Sequence, residues 1–516
     1  MIRRLHTDER GIAMLMALAL ITLISIISVT LFTVTEGDKQ RSDASAKQNA
    51  AYQAAEAGTN AYLSDLTEST AFPNAYLAKG EATRTDTNGV THASSNSSDV
   101  AWSSGSTWTY ATPMATDAGW YTIGNGYQYL IKVYPANPNL AQSQAQVVTR
   151  IDVTGRPTGS TDASTWRTIE TLIRPLSLAD FLSFTATSVT YGASATTTGP
   201  IFVGENSSGT PGTLTHDGTA KASLYSEGTV TGSTTLQNGA RKYDKNSNPT
   251  ALCKLNACNP IPFSTFQSSI TAVSTAAGAG GISLGSTDSS NSALSGQSYA
   301  VDAWKLVFNS NGTVSIYSCL HSTWTDSSHN VHSYADYSGT APSCALSHAV
   351  SPNPVAVPAN GAIYSAADVL VSGIVKGKVT VATAGDVVFA GNTTYNTNGT
   401  DVLGLEAQGG VYVAAWAKPS PSSTPLNLWA AMLALSGPFE ADPNYNGNNQ
   451  NDPGPVSGTM NFYGSIDVYG QSTGAIIFSN MFTTRNYNYD ANLLFVQPPL
   501  WPTLPASFTI LVQREV

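Results

Sequence analysis

The hydrophobic pattern of this chain changes period twice, and each change marks a new kind of structure. Residues 12–34 carry no charge over twenty-three positions and are mostly Leu, Ile, Ala, Met and Val. As a helix rising 1.5 Å per residue, such a run crosses the roughly 30 Å of a bilayer's hydrocarbon. Thr22, Ser25, Ser28 and Thr30 interrupt it only with hydroxyls, which in a membrane helix bond their own backbone or a neighbouring helix. Charge returns at Glu36, Asp38 and Lys39, yet no proline occurs from residue 12 to residue 71. The pattern predicts one helix through Leu66, about 80 Å long. Its distal half turns amphipathic, with Ala44, Ala51, Ala55, Tyr62 and Leu66 predicted to form a stripe against a globular body.

Phe72 and Pro73 open a second regime. Residues 73–118 are rich in Ser, Thr, Asn and Gly and read as loops. Three alternating runs follow. Tyr127, Tyr129, Ile131 and Val133 share one face of 127–134, and Val147, Thr149, Ile151 and Val153 one face of 146–153. Residues 166–174 alternate in the same way around Ile169, Thr171 and Ile173. Gly155, Arg156 and Pro157, with the tract 159–164, read as connections. Three antiparallel strands over a long helix predict an α+β head at 35–175.

The third regime begins after Pro175. Strands of three to five residues, such as 201–203, 362–364, 379–382, 411–413 and 465–469, are separated by Gly, Asn or Asp turns. Short strands punctuated so closely predict a parallel β-helix over 176–516, stable only when several coils stack. A β-sandwich is the alternative, with longer strands at wider spacing. The segment 250–350 interrupts this texture and reads as a cysteine-bearing insertion.

Composition sharpens the picture. Only 11% of the 516 residues are charged, and the net charge is −10. That favours an extracytoplasmic β-rich protein. With no basic patch interleaved with aromatics beyond residue 41, nucleic-acid binding by the large domain is disfavoured. The cysteines are Cys253, Cys258, Cys319 and Cys344. Four cysteines in an exported region predict two disulfides with three possible pairings; the local ones, Cys253–Cys258 and Cys319–Cys344, would each close a loop-rich segment. His321, His329 and His332 lie nearby without the spacing of a zinc module.

Arg10 and Gly11 directly precede the apolar run, and Arg3, Arg4 and Arg10 favour a cytoplasmic location for that end. The stretch from Glu9 to Leu18 resembles a class III (prepilin-type) signal. The run Ala51-Tyr52-Gln53-Ala54-Ala55-Glu56-Ala57 resembles the end of the N-terminal helix in PilX-type minor pilins. The resemblance covers residues 1–66 closely, and a looser one covers about 175–505, where some bacteria fuse a large domain to such an N-terminus. It implies a leader at 1–11, cleavage by a prepilin peptidase between Gly11 and Ile12, N-methylation of Ile12, and 12–34 as membrane and filament-core helix. The fifth residue after that bond is Met16, where major pilins carry glutamate to neutralise a neighbour's α-amino group. A subunit without that carboxylate fits a minor or tip position, as in PilX-type and GspK-type subunits.

Catalytic chemistry is hard to find. Asp368, Asp386, Asp401, Glu406, Glu440 and Asp442 are the acids a carbohydrate-active β-helix would use, but scattered acids in a Gly-rich domain fit turn positions better. His216 and His348 lack an adjacent nucleophile pattern, and no Gly-x-Ser-x-Gly, His-Glu-x-x-His or P-loop occurs. The oxygen-rich loop with Asp442, Asn444, Asn446 and Asp452 is a weak calcium site without EF-hand order. Tyr463, Tyr469, Tyr487, Tyr489 and Trp501 are aromatics for stacking on glycans or for packing the last coil. The expectation is a non-enzymatic minor pilin or pseudopilin, single-pass in the cytoplasmic membrane before assembly and then on an extracellular pilus or cell surface. Its expected partners are other pilins, the prepilin peptidase, and a surface glycan or other cell-surface ligand. The alternatives are a membrane-anchored carbohydrate-active enzyme and an adhesin outside any filament.

Overall fold

The computed structural model describes residues 9–68, 83–85, 91–93, 100–102, 108–110, 114–116, 120–124, 126–135, 149–206, 208–245, 266–288, 299–320, 324–325, 331–332, 344–347, 350, 352–417, 424–441, 456–469, 475–478 and 481–516. The chain divides into two compact units. The first comprises Met1–Ala136, Thr149–Ile173 and Ile510–Val516, and the second Asn137–Val148 and Arg174–Thr509.

The first unit is a long helix, α1 (Glu9–Glu68), with an antiparallel sheet packed on its distal half. The sheet order is Thr503–Glu515, Arg167–Ser177, Thr149–Pro157, Tyr127–Pro135, Tyr121–Ile123. Ile131, Val153 and Ile169 stand in register across three strands and are buried. Against them α1 buries Ala51, Ala54, Ala55, Gly58, Thr59 and Tyr62. Small residues at these helix positions let the backbones approach closely. A Cβ added to Gly155 would lie 1.8 Å from the Ala51 carbonyl oxygen, and one on Gly58 would lie 2.7 Å from the Tyr129 ring.

Three expectations change here. Gly155, Arg156 and Pro157 are not a connection: they complete the strand Thr149–Pro157, and Gly155 is there because nothing larger fits under the helix. Ala44 is exposed, so the packed stripe begins further along α1. Part of 73–118 is hairpin rather than loop, with Thr83–Thr85 pairing antiparallel to Thr91–Ala93 and Val100–Trp102 to Trp108–Tyr110. The sheet also gains a strand that the alternation between 127 and 174 gives no hint of. Thr503–Glu515 joins it, with the Val516 amide donating to the Thr168 carbonyl at 3.0 Å.

The sheet face away from α1 carries charge. Lys132, Asp152 and Glu170 are buried and aligned across three strands. Arg150 bridges Asp152 at 2.7 Å and Glu170 at 3.0 Å, and Arg514 reaches Glu170 at 2.7 Å. Burial, only partly offset by Arg150, pushes the Asp152 carboxyl above its ordinary value. Arg156 lies 3.5 Å from the ring centroid of Trp120, a cation–π contact.

The second unit is largely β, and most of its pairings are parallel. One ladder reads Ile282, Ile363, Val381, Leu405, Met432, Ile466, Ser183, Ile201, Leu224, Lys242 in register. The chain returns to this ladder after intervals as short as 18 residues, Ile363 to Val381, and as long as 81, Ile282 to Ile363, where the segment 285–361 intervenes. Two further ladders run beside it. One includes Asp368–Val375, Val387–Tyr395, Val411–Val413 and Phe439–Ala441, and the other Thr459–Val468, Thr484–Tyr489 and Ala195–Thr197. Sandwich sheets pair antiparallel; these do not. Most of these strands contribute buried side chains to a shared core of aliphatic and aromatic residues.

The order of strands in the stack is not their order in the sequence. Residues 183–244 occupy one end of the ladder, and the stretch beginning at Ile282–Leu284 starts at the other and returns toward them. The two stretches meet where Ile466 pairs Ser183 and Arg485 pairs Ala195. The chain therefore enters and leaves the stack at its middle. Its incoming and outgoing segments are tied there: Arg174 pairs with Asp180 and donates to the Leu494 carbonyl at 2.8 Å, and the Tyr489 hydroxyl donates to the Ala179 carbonyl at 2.9 Å.

The segment 250–350 contains more than an insertion. The helix α2 (Gln267–Gly278) packs over the first ladder through Ile270, Val273 and Ala277. Tyr299–Asn309 pairs in parallel with Asp368–Val375 and antiparallel with Thr313–Leu320. Cys319 and Cys344 form a disulfide, which is the local pairing. Cys253 and Cys258 lie outside the described residues.

Candidate functional site

The two parts of α1 differ sharply in their surroundings. Every residue from Met14 to Phe32 is exposed, among them Leu15 at 72% and Phe32 at 69%. Met16 is 69% exposed. The helix from Met14 is long and apolar enough to cross a membrane. Its threonines satisfy themselves: Thr22 donates to the Leu18 carbonyl at 3.0 Å, Thr33 to Val29 at 3.1 Å and Thr35 to Leu31 at 2.7 Å. Among the described residues this segment meets its own polar needs and buries no apolar side chain, which fits a membrane anchor. Gly11 and Ile12 lie within α1; their side chains are outside the described ones.

In the second unit Asp368, Asp386 and Asp401 behave as the expected turn residues, whereas Glu406 and Glu440 do not: they lie inside the strands Val402–Ala407 and Phe439–Ala441. An Asp368 carboxylate oxygen accepts the Asp386 amide at 2.8 Å, and Asp386 in turn accepts the Gly410 amide at 2.7 Å. Asp401 accepts the amides of Gly377 at 2.8 Å and Thr397 at 2.6 Å. Each carboxylate thus satisfies backbone donors at a strand end, the service that short strands joined by tight turns demand. Glu406 is fully buried beneath α2, and burial, weakly offset by the Ser269 hydroxyl, pushes its carboxyl up to about 8. Burial also lifts Glu440 to about 7. His216 is buried, stacked on Tyr191 at 5.3 Å and 3.1 Å from the Thr197 hydroxyl; burial lowers it to about 4, so it is neutral at pH 7. No group of three or more His, Cys, Asp or Glu among the described residues could hold a metal. Asp442, Asn444, Asn446, Asp452, His321, His329 and His348 lie outside the described residues, as does the side chain of His332.

The aromatics divide. Tyr487 is buried edge-on to Tyr191 at 5.3 Å, and Trp501 is buried over Gly404, where an added Cβ would lie 2.9 Å from its ring. These two are packing residues. Tyr463, Tyr469 and Tyr489 remain half-buried. Tyr463 stands beside Trp429 with ring centroids 5.1 Å apart, and Trp429 beside Tyr395 at 5.5 Å. The Tyr463 hydroxyl donates to Asp490 at 2.8 Å. Next to this aromatic row runs an amide row that the sequence does not reveal. Asn427, Asn461 and Asn486 are in register on three successive strands. Their sequence spacings are unequal, so only the parallel pairing aligns them.

No family model matches the chain, and no curated protein matches it. One match is to a solved pilin. The chain is similar to the competence-associated pilin ComZ from Thermus thermophilus at 13% identity, over 90% of this chain and 97% of that one, with a TM-score of 0.20. A superposition that poor establishes no common fold and carries nothing about role.

Proposed function

We propose that the chain is a minor pilin or pseudopilin, seated at or near the tip of a type IV pilus-like filament, and that its second unit is a parallel β-helix displayed for adhesion or partner binding. The observation that carries this reading is the division of α1. Residues 51–62 are tied to the sheet by close small-residue packing, whereas 14–34 are covered by none of the described residues. Lipid meets the need of that segment before assembly, and the helices of sister subunits meet it afterwards. Met16 in place of a carboxylate favours a subunit that does not stack repeatedly beneath identical copies, because it offers no partner for a buried α-amino group.

The leader at 1–11, cleavage at Gly11 and methylation of Ile12 belong to the same proposal. They rest on the residues Glu9 to Leu18. In this reading the second unit binds its ligand without turning it over, since Asp368, Asp386 and Asp401 are committed to backbone amides. Deleting the gene tests the role. Shortened or absent surface fibres support a part in assembly, and intact fibres with lost attachment support display alone. Intact fibres and intact attachment would overturn the proposal.

A further inference from the structure

The third ladder of the second unit presents a face with a regular polar chemistry. Asn461 donates from its side-chain amide to the Asn427 side-chain oxygen at 3.2 Å, and Asn486 donates to Asn461 at 2.9 Å. Asn392 continues the row on one side, accepting the Asn427 backbone amide at 2.8 Å. Thr196 and Thr219 continue it on the other, Asn486 pairing with Thr196 and Thr196 with Thr219. At about 4.8 Å per strand these six positions span roughly 24 Å. Two residues further along the same strands, half-exposed Trp429 and Tyr463 form the aromatic row. The buried residues between them, Leu428 and Phe462, fix both rows outward.

We infer that this face binds a neutral, extended polysaccharide. Each asparagine amide carries two donors and an acceptor with two lone pairs, and the chain of amide-to-amide bonds uses only part of that capacity. What remains is a line of paired donors and acceptors, which is what sugar hydroxyls offer in return. The faces of Trp429 and Tyr463 supply the flat apolar surface on which a pyranose ring's C–H face rests, and the Tyr463 hydroxyl, held by Asp490, keeps its ring oriented. Charge selects the class of polymer. The rows contain no cation, and a chain of net charge −10 repels polyanions, so a phosphate- or carboxylate-bearing polymer is disfavoured. The straight repeat suits a chain of residues better than one sugar. The inference rests on the proposed display of the second unit outside the cell.

The test uses the full chain in detergent, sedimented with insoluble cellulose and with insoluble chitin, and with calcium alginate beads as the charged counterpart. The expected result is retention by at least one of the two neutral polymers and not by alginate. Trp429→Ala then weakens retention at least about 10-fold, Asn461→Leu weakens it several-fold, and Trp429→Phe, which keeps a ring in place, retains most of it. Circular dichroism melts of all three must match the parent, and Asn461→Leu carries the test if Trp429→Ala does not fold. Retention by neither neutral polymer, equal retention by alginate, or equal retention by folded Trp429→Ala and Asn461→Leu would overturn the inference. So would self-association through this face, seen as a dimer in light scattering that Asn461→Leu abolishes. Filament incorporation is scored separately: a parent chain that enters fibres but is retained by neither neutral polymer counts against this face alone, and a parent chain that is retained but never enters fibres counts against the pilin reading alone.

Discussion

Residues 14–34 and residues 51–62 belong to one unbroken helix, yet they answer to different partners. The distal segment buries Ala51, Ala55, Gly58 and Tyr62 against a sheet that leaves no space for a larger residue at position 155. The proximal segment is made of larger apolar side chains, Leu15, Ile24, Ile27 and Phe32 among them, and all of them are exposed. The difference is one of side-chain size as much as of hydropathy. Small residues permit a backbone-to-backbone approach that fixes one partner in one register. Large flexible ones fit lipid without demanding a particular surface. In the proposed reading the helix changes surroundings at one end while holding its own domain at the other, and that needs both textures.

Breaking the proximal half without touching the distal half has the largest expected effect. Ile24→Lys with Ile27→Lys costs membrane insertion on the order of 6 kcal/mol. Membrane fractionation should show the chain leaving the membrane pellet, while the sheet's near-ultraviolet circular dichroism stays unchanged. Gly155→Val breaks the other half. Its side chain meets the Ala51 backbone rather than a movable side chain, so the helix must lift from the sheet at a cost of about 3 kcal/mol or more. Urea melts in detergent measure that loss, and insertion should be unaffected.

A pH series separates the halves less drastically. The segment 14–34 has no titratable group, so its insertion should be flat with pH. The sheet is different, because burial raises the Asp152 carboxyl above its ordinary value. The folded state then holds a proton that the unfolded state has already released. Stability therefore falls as pH climbs from the ordinary carboxyl range through the raised one, and is level above it. Asp152→Asn should flatten that slope in melts taken across the acidic range. The smallest effect belongs to the membrane threonines. Thr22→Val and Thr30→Val remove hydroxyls that bond only their own helix backbone, and should shift insertion by less than about 0.5 kcal/mol.

Much of this division was legible in the sequence. The apolar run, the absence of proline to residue 71, and the alternation around Ile131, Val153 and Ile169 mark the helix and three of the sheet's strands, because local period encodes local structure. What could not be read is whatever depends on distant pairing. Thr503–Glu515 joins a sheet whose other strands end more than three hundred residues earlier, and nothing in its own composition names that partner. The stack's reversed order follows from Ser183 pairing Ile466, a contact without a sequence period. The same holds for the candidate face: Tyr463 stood out as an aromatic, but Asn427, Asn461 and Asn486 form a row only once the strands are parallel and in register. Gly155 reads as part of a connection because a glycine required by close approach looks, in sequence, like a glycine required by a bend.

The account turns on the proximal half of α1 being freed at its start to join other helices. The direct measurement is the intact mass and N-terminal sequence of the chain isolated from the membranes and fibres of the cells that make it. The account predicts a polypeptide beginning at Ile12, heavier by one methyl group, recovered with other fibre subunits. A polypeptide still beginning at Met1, recovered from membranes alone, would contradict it.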